Sequence, residues 1–195
     1  FNPVNLDSKT FYMSFLVNVQ EAGTAAFITL CDANKTFADE SVGNQKVYVF
    51  AKEGSTTETV KFAVSKSTET DNYVVETTTE FDLNTTCLVV LKYTANPEGI
   101  SDDYVDMFVN PVVTSEAANT PLCTATGGSD INDTKGIASV QLRQGKTYNT
   151  FSPAVVVDAI RIADTWGELF GMEEPPVTDQ PTLTVDETEI NFGYP

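Results

Sequence analysis

The chain of 195 residues can bury the core of one sizeable domain, with a few residues over for a linker or a second module. Its 28 acidic residues against 11 basic ones give a net charge of −17, which repels phosphates and makes nucleic acid and anionic membranes poor partners. No apolar run approaches the roughly 20 residues that cross a bilayer, so direct membrane insertion is excluded as well.

In chain order, Phe11 to Val19 alternates cleanly, with Phe11, Met13, Phe15, Val17 and Val19 on one face, and reads as a long strand. Ala25 to Cys31 is a second, expected to form a hairpin with the first through the turn Glu21-Ala22-Gly23. Asp32 to Asn44 is a loop. Lys46 to Lys52 and Thr59 to Ser65 make a hairpin through Glu53-Gly54-Ser55, and Tyr73 to Thr77 is a shorter strand. Thr86 to Tyr93 is apolar without alternation, which places it centrally with both faces buried. After the polar loop Asn96 to Asp103, a strand runs from Tyr104 to Asn110 and stops at Pro111, which cannot donate to a ladder. Ser115 to Lys135 is polar and Gly-rich, a surface loop. Ile137 to Arg143 is a strand with one wet face, Ser139, Gln141 and Arg143. In Pro153 to Asp164, Val156, Asp158, Ile160 and Ile162 share one side and Val155, Val157, Ala159 and Arg161 the other, which predicts a final strand crossing the centre of its sheet. A short cap over Glu168 to Gly171 closes the unit.

Recurring short strands with turn signals between them make this an all-β, two-sheet antiparallel sandwich. The expected domain covers residues 1–172. A stiff Pro-rich acidic linker over 173–182 and the first strand of a truncated second β module over 183–195 follow it. The chain opens Phe1-Asn2-Pro3-Val4 with no basic-then-apolar leader and reads as a processed or trimmed form. Cys31, Cys87 and Cys123 are odd in number and widely spaced, so they specify neither a disulfide framework nor a zinc site, and Cys87 reads as a buried thiol.

The runs Phe11 to Val17, Leu88 to Tyr93, Asp106 to Pro111, Leu142 to Gly145 and Val157 to Trp166 together resemble the bacterial laminin-G-like, concanavalin A-like jelly rolls over most of Phe11 to Gly171. The tail, Pro181 to Val185 and Ile190 to Gly193, is similar to the start of a BACON or immunoglobulin-like module. The resemblance implies two curved antiparallel sheets and a secreted or cell-surface protein of the Bacteroidetes kind, with neighbouring β domains in the same chain. Such domains usually carry a further strand before the one at Phe11, for which only Phe1 to Leu6 is available.

Several residues are candidates for binding. Trp166 could stack on the apolar face of a sugar or pack under the terminal cap. Tyr48, Tyr73 and Tyr104 could line a ligand face, although strands favour aromatics in any case. Asp130, Asn132 and Asp133, after Gly127-Gly128-Ser129, cluster oxygen ligands of the kind calcium takes, the one cofactor in view; ordinary turn chemistry is the alternative. Their spacing departs from a helix-loop-helix calcium loop, with Lys135 where Gly is needed and no closing Glu. Asp102, Asp103 and Asp106 form a second acidic group. Asp158, read as facing the core, needs a structural partner, for which Arg143 is the candidate.

With no histidine, imidazole metal sites and triads built on it are excluded. No Gly-x-Ser-x-Gly elbow, phosphate-cradling loop or Glu-x-Asp-x-Glu run is present. The expectation is therefore that the chain is not an enzyme: a secreted or surface-attached jelly roll that binds a polysaccharide or glycoprotein glycan or serves as an interaction domain. The alternatives are a glycosidase using carboxylates scattered over several strands, and a pure spacer.

Overall fold

The alternation read in the first strand organises the structure, a computed structural model that describes residues 10–32, 45–69, 71–96, 99, 101–131, 137–144 and 151–172. In β1 (Thr10–Glu21), Phe11, Met13, Phe15, Val17 and Val19 are buried in the main core, so Tyr12, Ser14, Leu16 and Asn18 take the opposite face. The next strands are β2 (Ile28–Asp32), β3 (Gln45–Glu53), β4 (Thr59–Ser65), β5 (Val75–Glu76) and β6 (Phe81–Asp82). They are followed by β7 (Thr86–Thr94), β8 (Tyr104–Val109), β9 (Cys123–Ala125), β10 (Ile137–Leu142) and β11 (Ala154–Ala163), and by one short helix, α1 (Trp166–Phe170). One sheet has the order β11-β1-β7-β8-β9; the other runs β10-β2-β3-β4-β5, with β6 also on β4. All pairings are antiparallel. The fold is an all-β, two-sheet antiparallel jelly-roll sandwich.

Aromatic side chains fill the space between the sheets. Phe15 meets Phe27 edge-on at 6.1 Å, Phe11 stacks on Tyr93 at 5.4 Å, and Phe62 of β4 packs on Phe81 at 5.5 Å. A second, smaller cluster sits on the outer face of the five-stranded sheet, where α1 brings Trp166 and Leu169 onto Tyr12, Val90 and Phe108. Thr165 caps this helix by accepting from the Glu168 N–H at 3.1 Å, and Gly171 ends it with φ of 68°, the left-handed turn that glycine takes without strain.

Two sequence expectations are corrected by the topology. β1 and β2 form no hairpin, because the chain crosses from one sheet to the other between them. The crossing is pinned by the Gly23 N–H on the Ala51 carbonyl at 2.8 Å and by the Thr24 and Ala25 N–H groups on the Phe151 carbonyl. A Cβ at Gly23 would lie 2.4 Å from Pro153 N, so the close approach admits only glycine. The final strand is not central either. β11 is an edge paired to β1, and Val156 is 56% exposed. Its alternation is reset by a bulge at Ala159, whose φ is 52°. Before it Val155 and Val157 pack on the core, and after it Ile162 does. β7, by contrast, lies between β1 and β8 as its apolar run predicts. Within the expected loop from Ser115 to Lys135 the structure adds β9. The linker, the second β module and Phe1 to Leu6 lie outside the described residues.

Phe15→Ala is expected to cost about 3–5 kcal/mol in urea denaturation, the usual loss for truncating a buried phenylalanine. Ala159→Gly is expected to gain about 0.5–1 kcal/mol, because glycine adopts the left-handed bulge conformation without the alanine Cβ penalty.

Candidate functional site

The outer face of the six-stranded sheet collects polar side chains by simple alternation. In β2, Ile28 and Leu30 enter the core, so Thr29 and Cys31 face away from it. In β3 a bulge at Val47, with φ of 49°, directs Val47, Val49 and Ala51 inward and turns Tyr48, Phe50 and Lys52 outward. The register then sets Gln141, Thr29, Tyr48 and Ser65 in a row across β10, β2, β3 and β4.

These side chains interlock. The Gln141 side-chain oxygen accepts from the Gln45 amide and, at 3.4 Å, from the Thr29 hydroxyl. The Tyr48 hydroxyl donates to the Gln45 carbonyl at 3.1 Å, and burial raises its pKa against the opposing pull of Arg143. The Arg143 guanidinium lies 6.0 Å from the Tyr48 ring centre and forms an ion pair with Glu69. Farther along, Lys52 pairs with Glu76 at 3.2 Å and sits over Phe50, and Lys61 pairs with Glu80 at 3.8 Å. Thr29, Phe50, Ala63 and Ser65 are buried beneath this layer. The reachable groups are Gln141, the Arg143–Glu69 pair and the Lys52–Glu76 pair.

Glu80 is held at about 2, below its ordinary 4.5, because its carboxylate accepts from the Ser55 N–H at 2.9 Å, the Thr59 hydroxyl at 2.7 Å and the Ser55 hydroxyl at 2.8 Å. It therefore stays ionised and tethers the β3–β4 turn.

The acidic cluster has a different character. Asp102, Asp103 and Asp130 have carboxylate oxygens within 4.8 Å of one another, but a lysine has entered the group. Lys66, at the end of β4 and 0% exposed, forms an ion pair with Asp130 and donates to the Asp103 carbonyl at 2.9 Å. Asp130 also accepts from the Asp102 N–H at 3.0 Å. Asp103, buried, accepts from the Tyr93 hydroxyl and from the Asn96 N–H at 2.7 Å, and both burial and the Asp103 bond push the Tyr93 hydroxyl up. The knot joins β4 of one sheet to the ends of β7, β8 and β9 in the other. Lys66 brings one ammonium to these three carboxylates, on Asp130. Of the expected calcium ligands Asp130 is here, and Asn132 and Asp133 lie outside the described residues.

The other candidates are dispersed. Trp166 is only 5% exposed, wedged among Tyr12, Phe108 and Phe170 with its indole N–H on the Val113 carbonyl at 2.7 Å, so neither ring face is open to a sugar. Tyr104 is half-buried on that same outer face of the five-stranded sheet, away from Tyr48. Tyr73, in the short turn Asp71–Tyr73 before β5, is 40% exposed and packs where a Cβ on Gly127 would be 2.5 Å from its ring. Asp158 and Arg143 are not partners. They stand on different sheets, and Asp158 is exposed beside the Ala159 bulge, where its carboxylate accepts from the Ala159 N–H at 2.7 Å. The three cysteines form no disulfide with one another, and burial raises Cys87 and pushes Cys123 up to about 12.

No family model matches the chain, and no curated protein matches it by sequence. Among solved structures, a mutant of the alginate lyase Aly36B in complex with an alginate tetrasaccharide is similar at 13% identity. The match covers 81% of this chain and 70% of that one, with a TM-score of 0.51. The fold is of the concanavalin A type. The marine alginate lyase AlyA1 from Zobellia galactanivorans also matches, at 16% identity over 84% of this chain and 65% of that one, TM-score 0.47. So does the carbohydrate-binding module CBM66 from Bacillus subtilis, at 13% identity over 79% and 74%, TM-score 0.35. The expectation that the chain is not an enzyme is corrected by the first likeness. A lyase is built on this same fold, so lacking histidine and a run of alternating acids does not remove the domain from catalysis.

Lys66→Met should destabilise the protein by about 3–5 kcal/mol, because Asp130 would be left as a poorly solvated carboxylate without its cation. Adding Asp130→Asn should restore most of that loss, read by chemical denaturation of the single and double variants. Glu80 has a depressed folded pKa, so its contribution is complete above 4.5 and disappears as the pH falls toward about 2. Thermal melts of Glu80→Gln should lie below the parent at pH 7 and converge with it near pH 2.

Proposed function

We propose that this domain binds polysaccharide through the outer face of its six-stranded sheet. The observation that carries the reading is the interlocked Gln45, Gln141 and Thr29 set beside the Arg143–Glu69 pair and Tyr48. Sugar hydroxyls both donate and accept, and they are recognised by side-chain amides and ion-paired heads held in fixed orientation. Gln141, Thr29, Gln45 and Tyr48 take that fixity from strands about 4.8 Å apart, while Arg143 and Glu69 just beyond the strand ends hold each other as an ion pair. Prior bonds among the side chains hold them in place before a ligand arrives, which lowers the entropy lost on binding.

The fold shared with an alginate lyase supports a glycan-related role. Among the described residues no helix is long and apolar enough to cross a membrane. The laminin-G-like resemblance supports a secreted or surface-displayed domain of a bacterial protein. In that setting residues 173–182 act as a stiff spacer to a following β module that begins near residue 183.

Affinity electrophoresis through gels containing soluble polysaccharides tests the reading. The parent should be retarded by at least one polymer, and Gln141→Ala, whose side chain is exposed, should weaken that retention about tenfold while leaving the melting temperature unchanged. Retention untouched by Gln141→Ala and by Gln45→Ala would place the binding elsewhere. Incubations of the same polymers, assayed for new chain ends, report turnover directly.

A further inference from the structure

Resting on that reading of the outer face, we infer that the bound polysaccharide is an uncharged one, and that polyuronates and sulfated glycans are rejected. Recognition of a sugar carboxylate or sulfate relies on an arginine or lysine whose charge is not already neutralised. Among the described residues, the cations that this face turns outward are ion-paired. Arg143 is paired with Glu69, Lys52 with Glu76 and Lys61 with Glu80. Glu80 is held ionised by Ser55 and Thr59, so it stays an anion beside Lys61 at ordinary pH. Lys46 lies off this face, in register with the inward Leu30 beyond the Val47 bulge, and donates to the Ser129 hydroxyl at 2.6 Å. Elsewhere among the described residues Lys66 is enclosed with Asp130, Lys92 is bound by Glu116 at 2.5 Å, and Arg161 donates to the Leu169 carbonyl at the end of α1.

Docking a uronate on Arg143 would place two anions on one guanidinium or expel Glu69 as an unpaired, half-buried carboxylate. Either outcome is unfavourable. The net charge of −17 adds a long-range repulsion that a polyanion meets before contact. A hydroxyl meets no such penalty. It can donate to Glu69 and accept from Arg143 without separating them, and the Gln141 amide, whose oxygen is fixed by Gln45 and Thr29, carries two N–H donors.

The test is affinity electrophoresis of the folded chain on β-glucan, xylan and galactomannan against alginate and polygalacturonate, at about 20 mM and about 300 mM NaCl. The expected result is retention by a neutral polymer that changes less than about twofold with salt, and none by either polyuronate. Glu69→Gln, which leaves Arg143 without its anion, should acquire salt-sensitive retention by alginate. Retention of the parent by polyuronates alone, falling about tenfold with salt, would overturn the inference and leave the outer-face site standing. Silence of the parent on every polymer would overturn the site and this inference with it.

Discussion

Strict two-residue alternation is the constraint on which the rest of this molecule depends. Once Phe11, Met13, Phe15, Val17 and Val19 are committed to the space between the sheets, every intervening side chain of β1 must lie outside. The same rule acts on β2, β3 and β4, where the inward apolar set leaves Thr29, Tyr48, Lys52 and Lys61 on one outer surface. Two residues with positive φ, Val47 and Ala159, reset the count. The first brings Tyr48 and Gln45 onto the face that also holds Gln141. The second keeps Ile162 in the core and releases Asp158 to solvent.

The two outer faces are put to different uses. On the five-stranded sheet, α1 covers the surface with Trp166 and Leu169, so the largest aromatic of the chain is consumed in packing. The six-stranded sheet carries instead a layer of amides, ion pairs and one tyrosine over a small apolar patch of Ala26, Phe50 and Ala63. Between the sheets, at one end, the Lys66–Asp130–Asp103–Tyr93 knot replaces apolar packing with a saturated polar network, which is tolerable in the interior only because its groups are mutually bonded.

Much of this was legible in the chain. The all-β class, the core face of β1, the central place of β7, the β3–β4 hairpin and the capping turn all follow from side-chain period and turn residues, which are local signals. The edge position of β11 was not legible, because an apolar strand looks the same whether a neighbour or a bulge accounts for it, and nothing around Ala159 announces a left-handed residue. The crossing after β1 was missed because Glu21-Ala22-Gly23 has the composition of a tight turn, while the bonds from Gly23 to Ala51 and from Thr24 to Phe151 that bend it away come from distant strands. The site was half legible. Gln141 and Arg143 stood on the wet side of their strand, and Tyr48 was a candidate. Their partners Gln45, Thr29 and Glu69 are joined to them only by the fold, as Lys66 is to Asp130.

The central claim is that ligand contacts the outer face of the six-stranded sheet. Backbone amide shifts followed by heteronuclear NMR, as an oligosaccharide of a retained polymer is added, test it most directly. The account predicts shifts concentrated at Thr29, Gln45, Tyr48, Ser65, Gln141 and Arg143, with Tyr12, Phe108 and Trp166 unmoved. Shifts centred on α1 and the outer face of the five-stranded sheet would contradict it.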